Sequence, residues 1–182
     1  MLCNLCCNDL SNYQVFTSNR VMLITSEKVY DAYVDGSFSA KHDKGSWAYT
    51  IVDNKLDVSV AHASGFIDYN LQPELKKLRN IATECFAVIE SLKYASQHGC
   101  KINVYYDYIG LERWVWDITD NQVPWQCKND FTWEYRQDVI AYEQYLNKMI
   151  WVKGHAGNKW NEYTDNLACE LTGTNQKKAN IK

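Results

Sequence analysis

The spacing of apolar residues changes along the chain near Pro73. Before that point the sequence contains three β-rich runs, VYDAYVDG (29–36), GSWAYTIVDN (45–54) and LDVSVAHASGF (56–66). The first is apolar on both faces, which is typical of a central strand. The short connection at Asn54-Lys55 predicts that the second and third runs form an antiparallel hairpin. The first part of the fold is therefore predicted to be a three-stranded meander.

After Pro73 the pattern predicts helices that alternate with strands. A helix is indicated by apolar residues at helical spacing, followed by Gly99 as a stop signal; these are Ile81, Cys85, Ile89, Leu92 and Ala95. The later elements are predicted as a strand at 101–107, a short helix at 109–118, a longer helix at 129–148, a strand at 149–157 and a closing helix at 158–173. Right-handed crossovers between these strands predict an α/β fold. Its five-stranded mixed sheet is antiparallel over the first three strands and parallel later, with helices packed on it.

Composition narrows the class of protein. A chain of 182 residues with 46% apolar residues is sufficient for one globular domain. The formal net charge of −3 provides no overall basic field, so any nucleic acid must be bound by a local patch. The sequence lacks a signal-peptide pattern and any apolar run of the ~20 residues that a membrane helix needs. We therefore expect a cytoplasmic protein without membrane contact.

The ends of the chain differ from its centre. Residues 1–27 are predicted to be a poorly ordered extension with one short strand at VMLIT, residues 28–174 the folded domain, and residues 175–182 a C-terminal tail. Seven scattered cysteines favour free thiols over a disulfide framework. Cys3, Cys6 and Cys7 are clustered, but no second pair of ligands follows at the spacing typical of a zinc site. A tail that binds no metal is the favoured interpretation.

Four acidic residues stand at positions where the predicted elements meet. Asp35 ends the first predicted strand, and Asp107 ends the first strand after the helix. Sites in crossover α/β units form where the carboxyl ends of neighbouring parallel strands meet. Glu84 is predicted to lie in the first turn of the helix between these two strands, and Asp165 in the first turns of the last helix. These positions predict that four carboxylates converge.

Converging carboxylates repel one another and raise some of their pKa values unless a cation neutralises them. Carboxylate oxygens favour hard cations such as Mg²⁺ or Mn²⁺. Two such ions, about 3.5–4 Å apart, are the usual arrangement for phosphodiester displacement. Each acid also has a structural interpretation when it is taken alone. Asp35-Gly36 would form a turn, Glu84 would interact with the helix dipole, Asp107 would cap a helix and Asp165 would be solvated.

The sequence around these acids resembles the type I ribonuclease H family in its bacterial form. The resemblance is carried, in order, by YVDGSF (33–38), RNIATECFAVIESLKYA (79–95), VYYDYIGLERW (104–114) and WVKGHAGNKWNEYTDNLA (151–168). It extends from about Val29 to Leu171 and implies a ribonuclease H-like fold. It also implies hydrolysis of the RNA strand of RNA–DNA hybrids by two metal ions, Mg²⁺ or Mn²⁺, with 5′-phosphate and 3′-hydroxyl ends on the products.

The resemblance assigns a role to each catalytic position. It implies that Asp35 bridges both metals, that Glu84 and Asp107 share one of them, and that Asp165 completes the shell of the other. Glu84 would also touch a ribose. His155, which lies between glycines in the KGHAG loop, would transfer a proton or assist departure of the product.

The resemblance also implies substrate contacts at Gly36, Ser37, Asn80 and Trp114. Asn80 would bind the RNA 2′-hydroxyl, the group that distinguishes RNA from DNA, although it could also cap the helix. Trp114 would line the channel for the DNA strand, although it could equally pack in the core.

Two features depart from the family pattern. The segment between Asp107 and Trp114 is shorter by about one helical turn, which leaves the DNA-strand channel in doubt. The region of the family's basic protrusion carries both signs of charge: Lys128, Arg136, Asp120, Asp130 and Glu134. Affinity for a hybrid is therefore expected to be modest and sensitive to salt.

Two other functions compete with a hybrid-specific nuclease. An integrase- or resolvase-like DNA nuclease would share the fold, but Asn80 and the KGHAG loop argue against it. A catalytically silent nucleic-acid-binding domain would require the four acids to be misplaced. A monomer is expected, and the sequence implies no protein partner.

Overall fold

The protein was analysed as a computed structural model, which describes residues 28–115 and 125–174. The strands are β1 (Val29–Ser39), β2 (Lys44–Asp53), β3 (Val58–Phe66), β4 (Lys101–Tyr106) and β5 (Leu146–Trp151). The α-helices are α1 (Asn80–His98), α2 (Gly110–Arg113), α3 (Asp130–Ala141) and α4 (Lys159–Thr172), with short 3₁₀ helices at Pro73–Leu78 and Glu143–Tyr145.

The five strands form one mixed sheet in the order β3-β2-β1-β4-β5. β1 pairs antiparallel with β2, and β2 with β3, while β1-β4 and β4-β5 are parallel. The predicted α/β fold, with its antiparallel first half and parallel second half, is confirmed. The crossover through α1 places β4 directly beside β1, at the centre of the sheet.

Helices cover both faces of the central strands. Gly36 on β1 approaches Thr83 on α1, whereas the hydroxyl of the next residue, Ser37, lies 2.9 Å from that of Thr172 on α4. Successive residues of a strand point to opposite faces, so α1 and α4 lie on opposite sides of the sheet.

The two faces of the sheet are held by different interactions. The α1 face is apolar, with completely buried side chains on both the helix and the strands: Ala32, Ile51, Ala87, Val88, Leu92, Ile102 and Val104. On the α4 face the hydroxyl of Ser46 donates to the carbonyl of Ala168 at 2.6 Å, and Thr164 donates to Thr50 at 2.8 Å. Polar pairs therefore position α4, while burial of apolar surface positions α1.

The first strand continues past the point where the sequence predicted its end. Asp35 pairs with Ala48 and Gly36 with Trp47, so Asp35-Gly36 is part of a strand and not a turn. Gly36 has a packing role, because a β-carbon there would lie 2.6 Å from the backbone nitrogen of Glu84. The interpretation of Gly36 as a turn residue was wrong, since the glycine is explained by the close approach of α1 to β1.

The boundaries of the last helix-strand unit were also predicted wrongly. The helix predicted at 129–148 ends at Ala141, and the strand predicted at 149–157 runs from Leu146 to Trp151. Leu146 is buried and pairs with Ile102. The apolar spacing around Leu146 fits a helix. It could not show that this residue pairs with β4 and therefore belongs to a strand.

Several other predictions fall partly or wholly outside the described residues. These are the extension at 1–27 with its cysteine cluster, the end of the helix predicted at 109–118, and the tail at 175–182. Within the described parts of the chain, the helices are too short or too polar to cross a lipid bilayer.

Candidate active site

β1 extends beyond its parallel neighbour, and this places two aspartates at one open edge. The pairing of β1 with β4 stops at Tyr33 and Tyr105. Asp35 lies two residues further along β1, and Asp107 directly follows the end of β4 at Tyr106. Beyond the last pair, the side of β1 that faced β4 is open, and the two carboxylates lie next to each other there.

Glu84 completes a group of three acids. One carboxylate oxygen from each of Asp35, Glu84 and Asp107 lies within 4.8 Å of the others. Glu84 reaches this position from the second turn of α1 and not from the first turn, as the sequence predicted, because the helix begins only at Asn80. The approach of α1 to β1 depends on the missing side chain of Gly36. The acids from two strands and one helix thus form a single cluster.

Asp165 lies beside this cluster and not inside it. It lines the same cavity of about 260 Å³ as the other three acids but is not a member of the group within 4.8 Å. Its carboxylate contacts His155 on one side, at 3.9 Å from Nδ1, and accepts a hydrogen bond from the thiol of Cys169 at 3.4 Å on the other. The structure therefore brings all four predicted acids to one cavity.

The acid cluster concentrates negative charge in a buried place. Burial raises the pKa of Asp35 well above its usual value, and the charges on Asp107 and Asp165 raise it further. The N–H of Gly36 opposes this shift by donating to Asp35 Oδ1 at 2.6 Å. The pKa of Glu84 is also raised well above its usual value, chiefly by burial and then by the charges on Asp35 and Asp107.

Opposing effects act on the pKa of Asp107. Burial raises the pKa of its carboxyl group, while His155 opposes the shift. Three neighbouring carboxylates with raised pKa values are the donor set that hard divalent cations prefer, because the ion removes the repulsion between them. The residues present therefore fit a magnesium or manganese site.

The loop that follows β5 carries His155 over the cavity. His155 has a positive φ of 51°, and its side chain is 68% exposed. Gly154, just before it, lies close to the acid cluster, since a β-carbon there would lie 2.6 Å from Asp107 Oδ2 and would displace that carboxylate. After the loop, Asn158 caps α4 by accepting the N–H groups of Trp160 and Asn161 at 3.1 Å. The exposed imidazole lies within reach of both the acids and an incoming ligand.

The predicted substrate contacts are distributed unevenly. Gly36, Ser37 and Asn80 line the acid cavity. Asn80 is the first residue of α1, and the cap position belongs to Arg79, so the alternative role of Asn80 as the helix cap is not observed. The hydroxyl of Ser37 lies 3.0 Å from that of Thr174. The substrate-binding roles of these residues remain predictions.

Trp114 lies apart from the acids. Its side chain is only 8% exposed and packs against Tyr108, Trp125 and Tyr135. It also borders a separate cavity of about 530 Å³ that Lys128 lines. The burial confirms that Trp114 packs in the core, and its role in the DNA-strand channel stays a prediction.

Sequence reasoning assigned no role to three residues of the cavity wall, which are Phe38, Cys169 and Thr174. Cys169 lies one helical turn after Asp165 on α4, and Thr174 follows the end of that helix; both line the cavity. The spacing of four residues between Asp165 and Cys169 was the available signal, since such residues share one face of a helix.

A basic cleft adjoins the acid cavity. It has a volume of about 660 Å³ and shares Phe38 and Asn80 with the acid cavity. Lys77 and Arg79 line it, immediately before α1. Positive charge therefore lies directly beside the carboxylates, as a polyanionic ligand that reaches a metal site would require.

The family model and the curated relatives that match this chain agree on one family. The family model described as RNase H matches residues 27–172. The chain is 28% identical over 163 residues to a ribonuclease H from Treponema denticola, an alignment that covers 77% of this chain and 94% of the relative. It is 30% identical over 155 residues to a ribonuclease H from Wolbachia sp. subsp. Drosophila simulans, with 79% of this chain and 94% of the relative covered.

Solved structures agree on the fold. The RNase H1 of the archaeon Halobacterium salinarum is similar with a TM-score of 0.59 at 17% identity, over 79% of this chain and 98% of that one. LC11-RNase H1, whose structure is a complex with an RNA/DNA hybrid, is similar with a TM-score of 0.56 at 14% identity. That alignment covers 78% of this chain and 98% of the other.

Proposed function

Because the chain belongs to the ribonuclease H family, we propose that it hydrolyses the RNA strand of RNA–DNA hybrids as a metal-dependent endonuclease. The observation that carries this proposal is the convergence of Asp35, Glu84 and Asp107 within 4.8 Å at an open sheet edge, with Asp165 in the same cavity. Acids that served only to end a strand or to begin a helix would have no structural reason to converge in one cavity.

The carboxylates would hold two Mg²⁺ or Mn²⁺ ions. Bound ions of this kind supply an activated water and neutralise charge on the reacting phosphate. Asp35 would bridge the two, Glu84 and Asp107 would share one, and Asp165 would complete the shell of the other. Hydrolysis in this mode would leave a 5′-phosphate and a 3′-hydroxyl.

His155 would act from the rim of the cavity. Its exposed imidazole, 3.9 Å from Asp165, could give a proton to the departing 3′-oxygen or help the product to leave. Its glycine-flanked loop would allow the movement that either role needs.

The substrate class is supported by what lies around the acids. Lys77 and Arg79 in the basic cleft would bind phosphates of the nucleic acid. Asn80, at the border between cleft and cavity, would contact the RNA 2′-hydroxyl and so select RNA as the cleaved strand. Binding through these cations would weaken as salt is added, by about one power of the salt concentration for each phosphate that they neutralise.

One cleavage assay tests the proposal. Labelled RNA–DNA hybrid, duplex DNA and duplex RNA are each incubated with the enzyme and Mg²⁺, with and without a chelator. We expect cleavage only of the RNA in the hybrid and only without the chelator. Equal cleavage of duplex DNA would instead support a resolvase-like nuclease, and binding of the hybrid without cleavage would support a silent binding domain.

A further inference from the structure

Asp107 lies just beyond the end of β4, where the regular pairing of the sheet stops. The carbonyl of Tyr106, the last residue of β4, accepts the N–H of Val152 at 2.8 Å. The next carbonyl, that of Asp107, accepts from a side chain: the indole N–H of Trp151 donates to it at 3.0 Å. A side chain thus continues the hydrogen bonding between β4 and β5 by one residue.

The position of Trp151 is unusual for a residue whose role is packing. Its side chain is 52% exposed, so much of the indole ring remains in solvent. An indole offers one donor and no acceptor, and here that donor is used on the backbone of Asp107. Holding this carbonyl restricts the backbone of Asp107 and therefore the direction in which its carboxylate leaves the chain.

The same segment also contacts the carboxylate itself. Three residues after Trp151, Gly154 lies so close that a β-carbon there would be 2.6 Å from Asp107 Oδ2. Trp151 thus holds the backbone of Asp107, while Gly154 packs against its side chain. Both restraints act on the acid that must stay within 4.8 Å of Asp35 and Glu84.

We propose that Trp151 is a positioning residue that orients Asp107 for metal binding, an inference that rests on the function proposed above. Without the indole N–H, the backbone at Asp107 gains freedom, and the three carboxylates are less often in the arrangement that binds an ion. The main effect falls on metal affinity, since the other acids and the substrate cleft are unchanged.

Metal binding to the full-length protein without nucleic acid tests this directly. Trp151→Phe keeps an aromatic ring and removes the donor, and titration calorimetry with Mn²⁺ gives the dissociation constant. Loss of one neutral hydrogen bond predicts a rise of about 2- to 10-fold in that constant. The matched control is Trp133→Phe on α3, which is 56% exposed and does not line the acid cavity; we expect it to bind Mn²⁺ like the wild type.

A second variant separates the donor from the shape of the ring. Replacing Trp151 with benzothienylalanine substitutes sulfur for the N–H group and keeps the bicyclic outline, so it also serves if Trp151→Phe does not fold. We expect weaker Mn²⁺ binding, with a melting temperature in chelator that falls by no more than the few degrees that one hydrogen bond contributes. Unchanged Mn²⁺ affinity, a lower melting temperature as the only effect, or no Mn²⁺ binding by the wild type would each overturn the inference.

The proposed function and this inference can fail separately. If the wild type cleaves hybrid and the Trp151 variants bind Mn²⁺ with wild-type affinity, only the positioning role of Trp151 is refuted. A wild type that binds Mn²⁺ but cleaves no hybrid would remove the proposed function, while weaker Mn²⁺ binding by both Trp151 variants would still support the positioning of Asp107.

Discussion

The imidazole of His155 lies 3.9 Å from the carboxylate of Asp165, and it is held there by a backbone with a positive φ of 51°. A residue other than glycine is uncommon in this left-handed region, so the surrounding loop must maintain the conformation. The contact joins the exposed imidazole of the cavity wall to the acid that lies outside the cluster of three. In the proposed function His155 assists the reaction from the rim, and the acid cluster with its bound ions carries the main part of it.

His155→Ala is therefore expected to slow hybrid cleavage without abolishing it. A group that transfers a proton typically contributes on the order of 10²–10⁴-fold, and the carboxylates that hold the metals are untouched. The measurement is single-turnover cleavage of labelled hybrid, with His62→Ala on β3 as the control. Complete loss of cleavage, or a rate equal to that of the wild type, would contradict this role.

Asp35→Asn is expected to lose nearly all turnover but to retain hybrid binding. The substitution removes one charge of the acid cluster, whereas the phosphate contacts proposed for the basic cleft would remain. Turnover is compared with binding measured by fluorescence anisotropy in Ca²⁺. Asp31→Asn is a matched control, because Asp31 is buried on the same strand but outside the group of three acids. A mutant that kept a tenth or more of the wild-type rate would argue against Asp35 as the bridging ligand.

The metal-free protein is expected to lose stability as the pH rises. The pKa of Asp35 and that of Glu84 are raised in the folded state, so the folded protein binds these protons more tightly than the unfolded chain does. The free energy of unfolding should therefore fall as the pH rises from the ordinary carboxyl pKa of about 4 through the raised folded values. The dependence of the free energy of unfolding on pH is measured by urea unfolding in chelator at pH values from about 5 to about 8.

The same repulsion predicts the behaviour of Asp35→Asn in melting experiments. In chelator at neutral pH the variant should melt above the wild type, because one buried negative charge has been removed. Its stability should also fall less steeply with pH. Mg²⁺ should raise the melting temperature of the wild type more than that of the variant, since ligand binding to the native state causes the gain. A variant that melts lower in chelator, with equal shifts in Mg²⁺, would mean that the acids do not interact as one cluster.

Gly36→Ala is expected to disturb both the fold and the site. Its β-carbon would lie 2.6 Å from the backbone nitrogen of Glu84, so α1 must move away from β1. Overpacking of this kind typically costs about 1–3 kcal/mol of stability. Urea unfolding should show that loss, and Mn²⁺ titration should show weaker binding because Glu84 moves with its helix. If stability and Mn²⁺ affinity both stayed at wild-type values, the close approach of α1 to β1 would not be what places Glu84.

Much of the fold followed from local patterns. The change from alternating to helical spacing near Pro73 predicted the meander followed by crossovers, because these periods reflect which faces of a strand or helix are buried. Gly99 ended α1 as predicted, with a positive φ of 59° that glycine adopts readily. The family was indicated by the order of the motifs and by their amino-acid sequences around Asp35, Glu84, Asp107, His155 and Asp165.

Tertiary structure alone decided how these elements end and meet. Strand β1 continues through Asp35 because β2 remains paired with it, while β4 stops at Tyr106 and leaves the edge open. Leu146 joins β5 and Trp114 enters the core through contacts with residues distant in sequence. Strand pairing and side-chain packing depend on such distant partners, which local periodicity does not encode. The sequence by itself therefore determined which residues are candidates for the chemistry. The packing of α1 and β5 against the ends of β1 and β4 decided how closely these residues come together.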